Sequence, residues 1–145
     1  MLYINNKLYN EDNQILYVAI ELQPDSKLKL IDLFNDYNPW NGKYKIICHH
    51  STIAFGKAVD KYLDWITENN NKEIKLTATE IGFNDKTCAV KVATDFDVPC
   101  DNKIRHITLA TNIVNNGKPV DSNTITNWES IDKLTLFGNV KIYYK

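Results

Sequence analysis

Two short stretches of this chain carry residue types that move protons. CHHSTIAFG at 48–56 and RHITLAT at 105–111 each contain the order His, any residue, Thr, aliphatic, Ala. His50-Ser51-Thr52-Ile53-Ala54 lies over His106-Ile107-Thr108-Leu109-Ala110, position for position. Imidazole is the side chain whose intrinsic pKa sits near neutrality, so a pair can take one proton and give another in a single step. Two threonine hydroxyls can hydrogen-bond the non-bridging oxygens of an anion held between them. Together His50, Thr52, His106 and Thr108 suit a phosphodiester: one imidazole deprotonates the attacking oxygen and the other protonates the leaving oxygen. A lone buried histidine is more often a satisfied core residue. Two matched histidines with matched hydroxyls favour catalysis. The sequence shows no cluster of Asp, Glu and His that would hold a metal, and the reading calls for no metal and no cofactor.

Such a site needs strands. Side chains two residues apart on a strand share a face, so each His and its Thr would look into one cleft while Ser51 and Ile107 turn away. By the same alternation the third histidine, His49, is expected on the opposite face and is given no chemistry. The elements around the motifs follow from pattern. ILYVAIEL at 15–22 reads as a buried strand. Pro24, Asp25 and Ser26 start a helix with Leu28, Leu30, Ile31 and Leu33 or Phe34 as its apolar stripe. NPWNG is a loop, 44–55 one continuous strand, and 58–70 a second helix facing the core with Val59, Tyr62, Leu63 and Ile66. Three further strands follow, with GFNDKT as a hairpin turn between the first two. A short helix is expected in SNTITNWESI, capped by Ser122 or Asn123. KLTLFGNVKIYY closes the chain as a strand bent at Gly138. The order predicts an α+β domain with helices packed on sheet faces.

The paired His-x-Thr motifs resemble those of the two-histidine (2H, LigT-like) phosphoesterase superfamily, over most of the chain from about Ile15 to Tyr144. That resemblance implies a bilobal α+β fold with pseudo-twofold symmetry, the two motifs facing each other across a central cleft. It also implies that His50 and His106 are the catalytic histidines and that Thr52 and Thr108 bind phosphate. Members act on RNA ending in a 2′,3′-cyclic phosphate, on 2′–5′-linked oligoadenylates, and on cyclic di- or trinucleotides that trigger antiviral defence. The short spacing between the motifs implies a compact member, similar to the small phage and viral enzymes that destroy nucleotide signals for immune evasion. The expected activity is metal-independent phosphodiester cleavage of such second messengers. RNA end processing through a 2′,3′-cyclic phosphate is the alternative, and a non-catalytic nucleotide sponge is the other.

Composition sets the outer limits. The 145 residues fit a single domain, 1–145, and 43% apolar with 24% charged residues is ordinary for a globular protein. A formal charge of −1 argues against a surface that tracks long duplex nucleic acid and leaves a small nucleotide or oligonucleotide as the partner. No apolar run is long enough to span a bilayer, and no signal peptide is visible, so no membrane association and a cytoplasmic setting are expected (host cytoplasm for a viral protein). Cys48, Cys88 and Cys100 lack paired spacing and read as reduced thiols. The lysine- and asparagine-rich composition fits an AT-rich coding genome. For substrate contact, Trp40 is a stacking platform or a core anchor of its loop. Tyr17 lines the cleft or is buried. Lys118 and Ser122, on the loop after the second motif, touch phosphate or ribose or are simply solvated.

Overall fold

The computed structural model describes residues 14–145. The first strand, β1 (Ile15–Leu22), feeds α1 (Pro24–Tyr37), then β2 (Tyr44–Ile46) and β3 (His50–Phe55). A 3₁₀ turn (Gly56–Tyr62) and α2 (Leu63–Asn69) follow, then β4 (Glu73–Phe83), β5 (Thr87–Thr94) and β6 (His106–Asn112). A second 3₁₀ turn (Pro119–Thr124) and the long β7 (Trp128–Tyr144) complete the described chain. The fold is α+β: one antiparallel sheet of seven strands among the described residues, ordered β2-β6-β5-β4-β7-β1-β3, with few helices. No helix among the described residues is long and apolar enough to cross a membrane.

The sheet order has a consequence for the site. β2 and β3 occupy opposite edges, yet only residues 47–49 separate them in the chain. Three residues reach at most roughly 14 Å from Ile46 to His50, so the sheet must curl until its edges nearly meet. The bridging segment hands its hydrogen bonds across. Ile47 and Cys48 donate to the carbonyls of Leu109 and Thr108 on β6, and the His49 carbonyl accepts from Leu22 on β1. Cys48 makes the turn possible with φ +43°, a left-handed conformation that a side chain adopts at some cost. The continuous strand expected over 44–55 is therefore two strands joined by a break at Cys48.

Alternation builds the core. Val18, Ile20 and Leu22 of β1 are buried with Ile53, Ile107 and Leu109, and α1 adds Leu30 and Phe34, both fully buried. Each large apolar side chain so removed from water contributes about 1.5–3 kcal/mol. Pro24 opens α1, Asp25 places a negative charge in its first turn, and Asn38 at φ +34° closes it by donating to the Phe34 carbonyl. Leu28 of the expected stripe is 59% exposed; Ser26 takes a buried place instead, and its Oγ accepts the backbone N–H of Phe137.

The helix expected over 58–70 divides into the 3₁₀ turn and the shorter α2, with Val59 and Ile66 buried. The hairpin at 82–87 forms as expected, pinned by Asn84 Oδ1 accepting from Lys86 and Thr87. The expected helix in 122–131 does not form. Its 3₁₀ turn begins earlier, at Pro119, with Ser122 inside it, and Trp128 already belongs to β7. At Gly138 a Cβ would come within 2.7 Å of the Glu21 carbonyl, so β7 crosses β1 there only without a side chain.

Candidate active site

The curled sheet brings both repeats to one cavity of about 410 Å³, lined by His50, Thr52, His106 and Thr108. The backbone is built twice in the same way. In the first repeat Glu21 stands opposite His50, Ala19 opposite Thr52 and Val18 opposite Ala54, so Ile53 is an extra, bulged residue. In the second, Lys91 stands opposite His106, Ala89 opposite Thr108 and Cys88 opposite Ala110, which makes Leu109 the bulged residue. A bulge bends its strand and re-aims the side chains beyond it. The two halves also brace each other: Cys48 donates to the Thr108 carbonyl, and Asp101 donates to the Ile53 carbonyl at 2.8 Å.

Around His50 the cavity is aromatic and crowded. Its ring centroid lies 5.3 Å from that of Tyr17, which stacks on Tyr143 at 4.4 Å and on Phe55 at 5.8 Å, both at 12°. Burial pushes the His50 imidazole down to about 4, helped by the neighbouring imidazoles of His49 and His106 and opposed by the Glu21 carboxylate. His50 is therefore neutral near pH 7. Its Nδ1 lies 2.8 Å from Nδ1 of His49, leaving Nε2 as the second ring nitrogen. His49 does not line the cavity, yet the left-handed turn at Cys48 interrupts strand alternation just before it, and its ring packs beside His50.

Around His106 the partners are fixed. Its Nδ1 lies 2.9 Å from the Ile104 carbonyl, which only accepts, so Nδ1 carries the proton and Nε2 is the second ring nitrogen. Thr108 Oγ1 is 2.8 Å from Ser122 Oγ and 3.4 Å from the Pro119 carbonyl. Ser122 is thus buried behind Thr108 and does not line the cavity. When Ser122 donates to Thr108, the Thr108 proton is free to turn toward the cavity.

The remaining expected contacts divide. Tyr17 lines the cavity. Trp40 does not: it packs against Phe34 and its Nε1 donates to the Asn84 carbonyl at 2.9 Å, so it is the core anchor of its loop. Lys118 is exposed and absent from the cavity wall, and its backbone N–H donates to Asp121 at the start of the 3₁₀ turn. Sequence reasoning missed Phe55, 62% exposed at the cavity rim, and Val120, 66% exposed and also lining it. Simple alternation from His50 and Thr52 points to residue 54; the bulge at Ile53 delivers residue 55 instead. Gly56, at φ +60°, then turns the chain away directly after it. Asn102 and Asn123 add amide groups to the wall.

No protein-family model matches the chain, and no curated protein matches it. Among solved structures it is similar to a fungal RNA kinase, with a TM-score of 0.56 and 15% identity over 90% of this chain. The chain spans 43% of that protein's length, and at this identity the likeness is one of fold.

Proposed function

We propose that the cavity is the active site of a two-histidine phosphodiesterase of the 2H type, acting on small nucleotides without a metal ion. The observation that carries this reading is the convergence of both His-x-Thr repeats on one cavity, each on the same bulged backbone. The matched bulges fit the pseudo-twofold, two-lobed arrangement that the sequence resemblance implies.

The roles of the imidazoles follow from their surroundings. Neutral His50 is the general base, taking the proton of the attacking hydroxyl, from water or a ribose 2′-OH. As the new P–O bond forms, the bond to the leaving oxygen breaks and His106 supplies that oxygen's proton from Nε2. The Ile104 carbonyl on Nδ1 stabilises the cationic form of His106 that does so. Thr52 and Thr108 donate to the non-bridging oxygens as charge grows there.

The cavity favours a small substrate. No lysine or arginine is among the described residues that line it, so it lacks the basic track of a polymer-binding groove. Phe55 and Val120 offer apolar surface at the rim for a nucleobase, and Tyr17 backs Phe55. Cyclic di- or oligonucleotides and 2′–5′-linked second messengers of antiviral defence fit this description. The fold likeness to an RNA kinase favours a second reading, cleavage of RNA 2′,3′-cyclic phosphate ends.

One experiment separates them. The protein is incubated in excess EDTA with cyclic dinucleotides, cyclic trinucleotides, 2′–5′ oligoadenylate and cyclic-phosphate-ended RNA, and products are resolved by chromatography. Cleavage of the small nucleotides is expected. Cleavage of the RNA end alone selects the second reading, and retention of a ligand without product sinks catalysis.

A further inference from the structure

A third histidine, His49, lies off the cavity wall and against His50. His49 and His50 face each other Nδ1 to Nδ1 at 2.8 Å with their rings at 84°. A nitrogen-to-nitrogen hydrogen bond holds one proton, so one ring donates and the other accepts. If His50 donates, its proton sits on Nδ1 and its Nε2 lone pair is a base. If His49 donates, His50 must carry its proton on Nε2 and has no base to offer. The state of His49 therefore selects the reactive form of His50.

Near this pair lies a braced group. Glu21 stands opposite His50 on β1, and the Tyr143 hydroxyl of β7 donates to the Glu21 carboxylate. The Tyr143 ring lies 6.2 Å from the His49 ring. The Tyr143 hydrogen bond holds the Glu21 carboxyl below the usual range against the effect of burial, and the nearby charges of His49, Lys27 and Lys141 act in the same direction. From β6, His106 is the remaining titratable group that acts on His50, and Tyr17 of β1 packs on its ring. The second repeat has nothing comparable. There a backbone carbonyl holds the histidine, and Lys91, opposite His106, is engaged with Glu80 at 3.4 Å and lies over the Trp128 ring.

We propose that His49 is a positioning residue: by accepting the Nδ1 proton of His50 it fixes the tautomer whose Nε2 is the base. The proposal rests on the reading of the cavity as a phosphodiesterase site. During attack, His50 takes the substrate proton on Nε2 and becomes cationic, and His49 accepts the Nδ1–H bond throughout, as the buried carboxylate does in a Ser-His-Asp triad.

The test does not need a substrate. Protein labelled with ¹⁵N in its imidazoles is titrated by NMR as wild type, His49→Ala, His49→Asn and Glu21→Gln. The wild type should show His50 protonated on Nδ1, and His49→Ala should give mixed tautomers, because the acceptor of that proton is gone. Glu21→Gln should lower the His50 midpoint, because a neighbouring negative charge is gone. His49→Asn, whose side-chain oxygen can accept the same proton, should restore the Nδ1 form. An unchanged tautomer in His49→Ala overturns the proposal; if that variant fails to fold, a His49→Asn spectrum without the Nδ1 form does so.

On the cleaved substrate, His49→Ala should lower kcat about 10- to 10²-fold with little change in KM, well short of the ~10⁴-fold loss when a triad carboxylate is replaced. His49→Asn should recover most of it. Normal tautomer behaviour with no cleavage of any substrate would remove the phosphodiesterase reading while leaving the His49–His50 pairing intact. Full activity in His49→Ala would remove the positioning role alone.

Discussion

The β1–β3 half and the β5–β6 half use one backbone device and furnish it differently. In both, an alanine stands opposite the threonine, and the next aliphatic residue bulges. Yet His50 leans on a titratable imidazole and an aromatic stack, whereas His106 leans on a carbonyl that never titrates. Thr108 is held from behind by buried Ser122, while Thr52 Oγ1 has no side-chain hydrogen bond among the described residues. The repeated backbone brings two histidines to one cavity. In the proposed reaction their unequal surroundings suit them to opposite tasks, base on one side and acid on the other.

The largest effects should fall on the shared part of that comparison. His50→Ala and His106→Ala each remove a proton-transfer group, for a loss of about 10²- to 10⁴-fold in single-turnover cleavage. Since the pair acts as a unit, the double variant should be little slower than either single one. Multiplicative losses would show two independent sites. Next come the hydroxyls. Thr52→Val and Thr108→Val keep shape and remove a donor to developing charge, costing roughly 10- to 10³-fold in kcat. Ser122→Ala should reproduce part of the Thr108 loss with the cleft otherwise intact, and has no counterpart in the other half.

Smaller effects test what differs between the halves. Phe55→Ala removes the rim aromatic, and base stacking is worth about 1–3 kcal/mol, so KM should rise about 5- to 100-fold with thermal stability kept. Trp40→Phe should do the reverse: cleavage unchanged, stability lower by about 1–3 kcal/mol for the orphaned Asn84 carbonyl. The smallest is an acid effect. A free imidazole titrates near ~6.5, and His50 is held down to about 4. Between these values the unfolded chain binds more protons, so stability falls as pH drops through that window. His50→Asn should make the acid loss of Tm shallower, whereas a slope equal to wild type would mean His50 is not buried as described.

Much of this site was legible because period-2 alternation is strict wherever a strand runs unbroken. The β1 strand fell at 15–22 as read, and His50 with Thr52, like His106 with Thr108, do share a wall. The misreadings cluster where the backbone leaves that period. The contact of His49 with His50 was not legible because nothing in Cys48 as a residue type announces a left-handed φ. Phe55 was overlooked because a bulge adds one residue without altering composition. Trp40 could be settled only by its partners, Phe34 and the Asn84 carbonyl, which lie far away in sequence. The helix expected after Ser122 failed because Trp128 found its place in a strand pairing with Gly82, a tertiary preference that local pattern does not carry.

The proposed division of labour between the two imidazoles is tested most directly by the pH profile of kcat/KM in excess EDTA, for wild type and each histidine variant. The wild type should give a bell whose acid limb lies well below an ordinary imidazole's, near 4, because His50 must be neutral to act as base. His50→Ala should lose that acid limb and keep the basic one, and His106→Ala should lose the basic limb and keep the acid one. Residual profiles with the limbs exchanged, or activity that returns only with a divalent ion, would contradict the account.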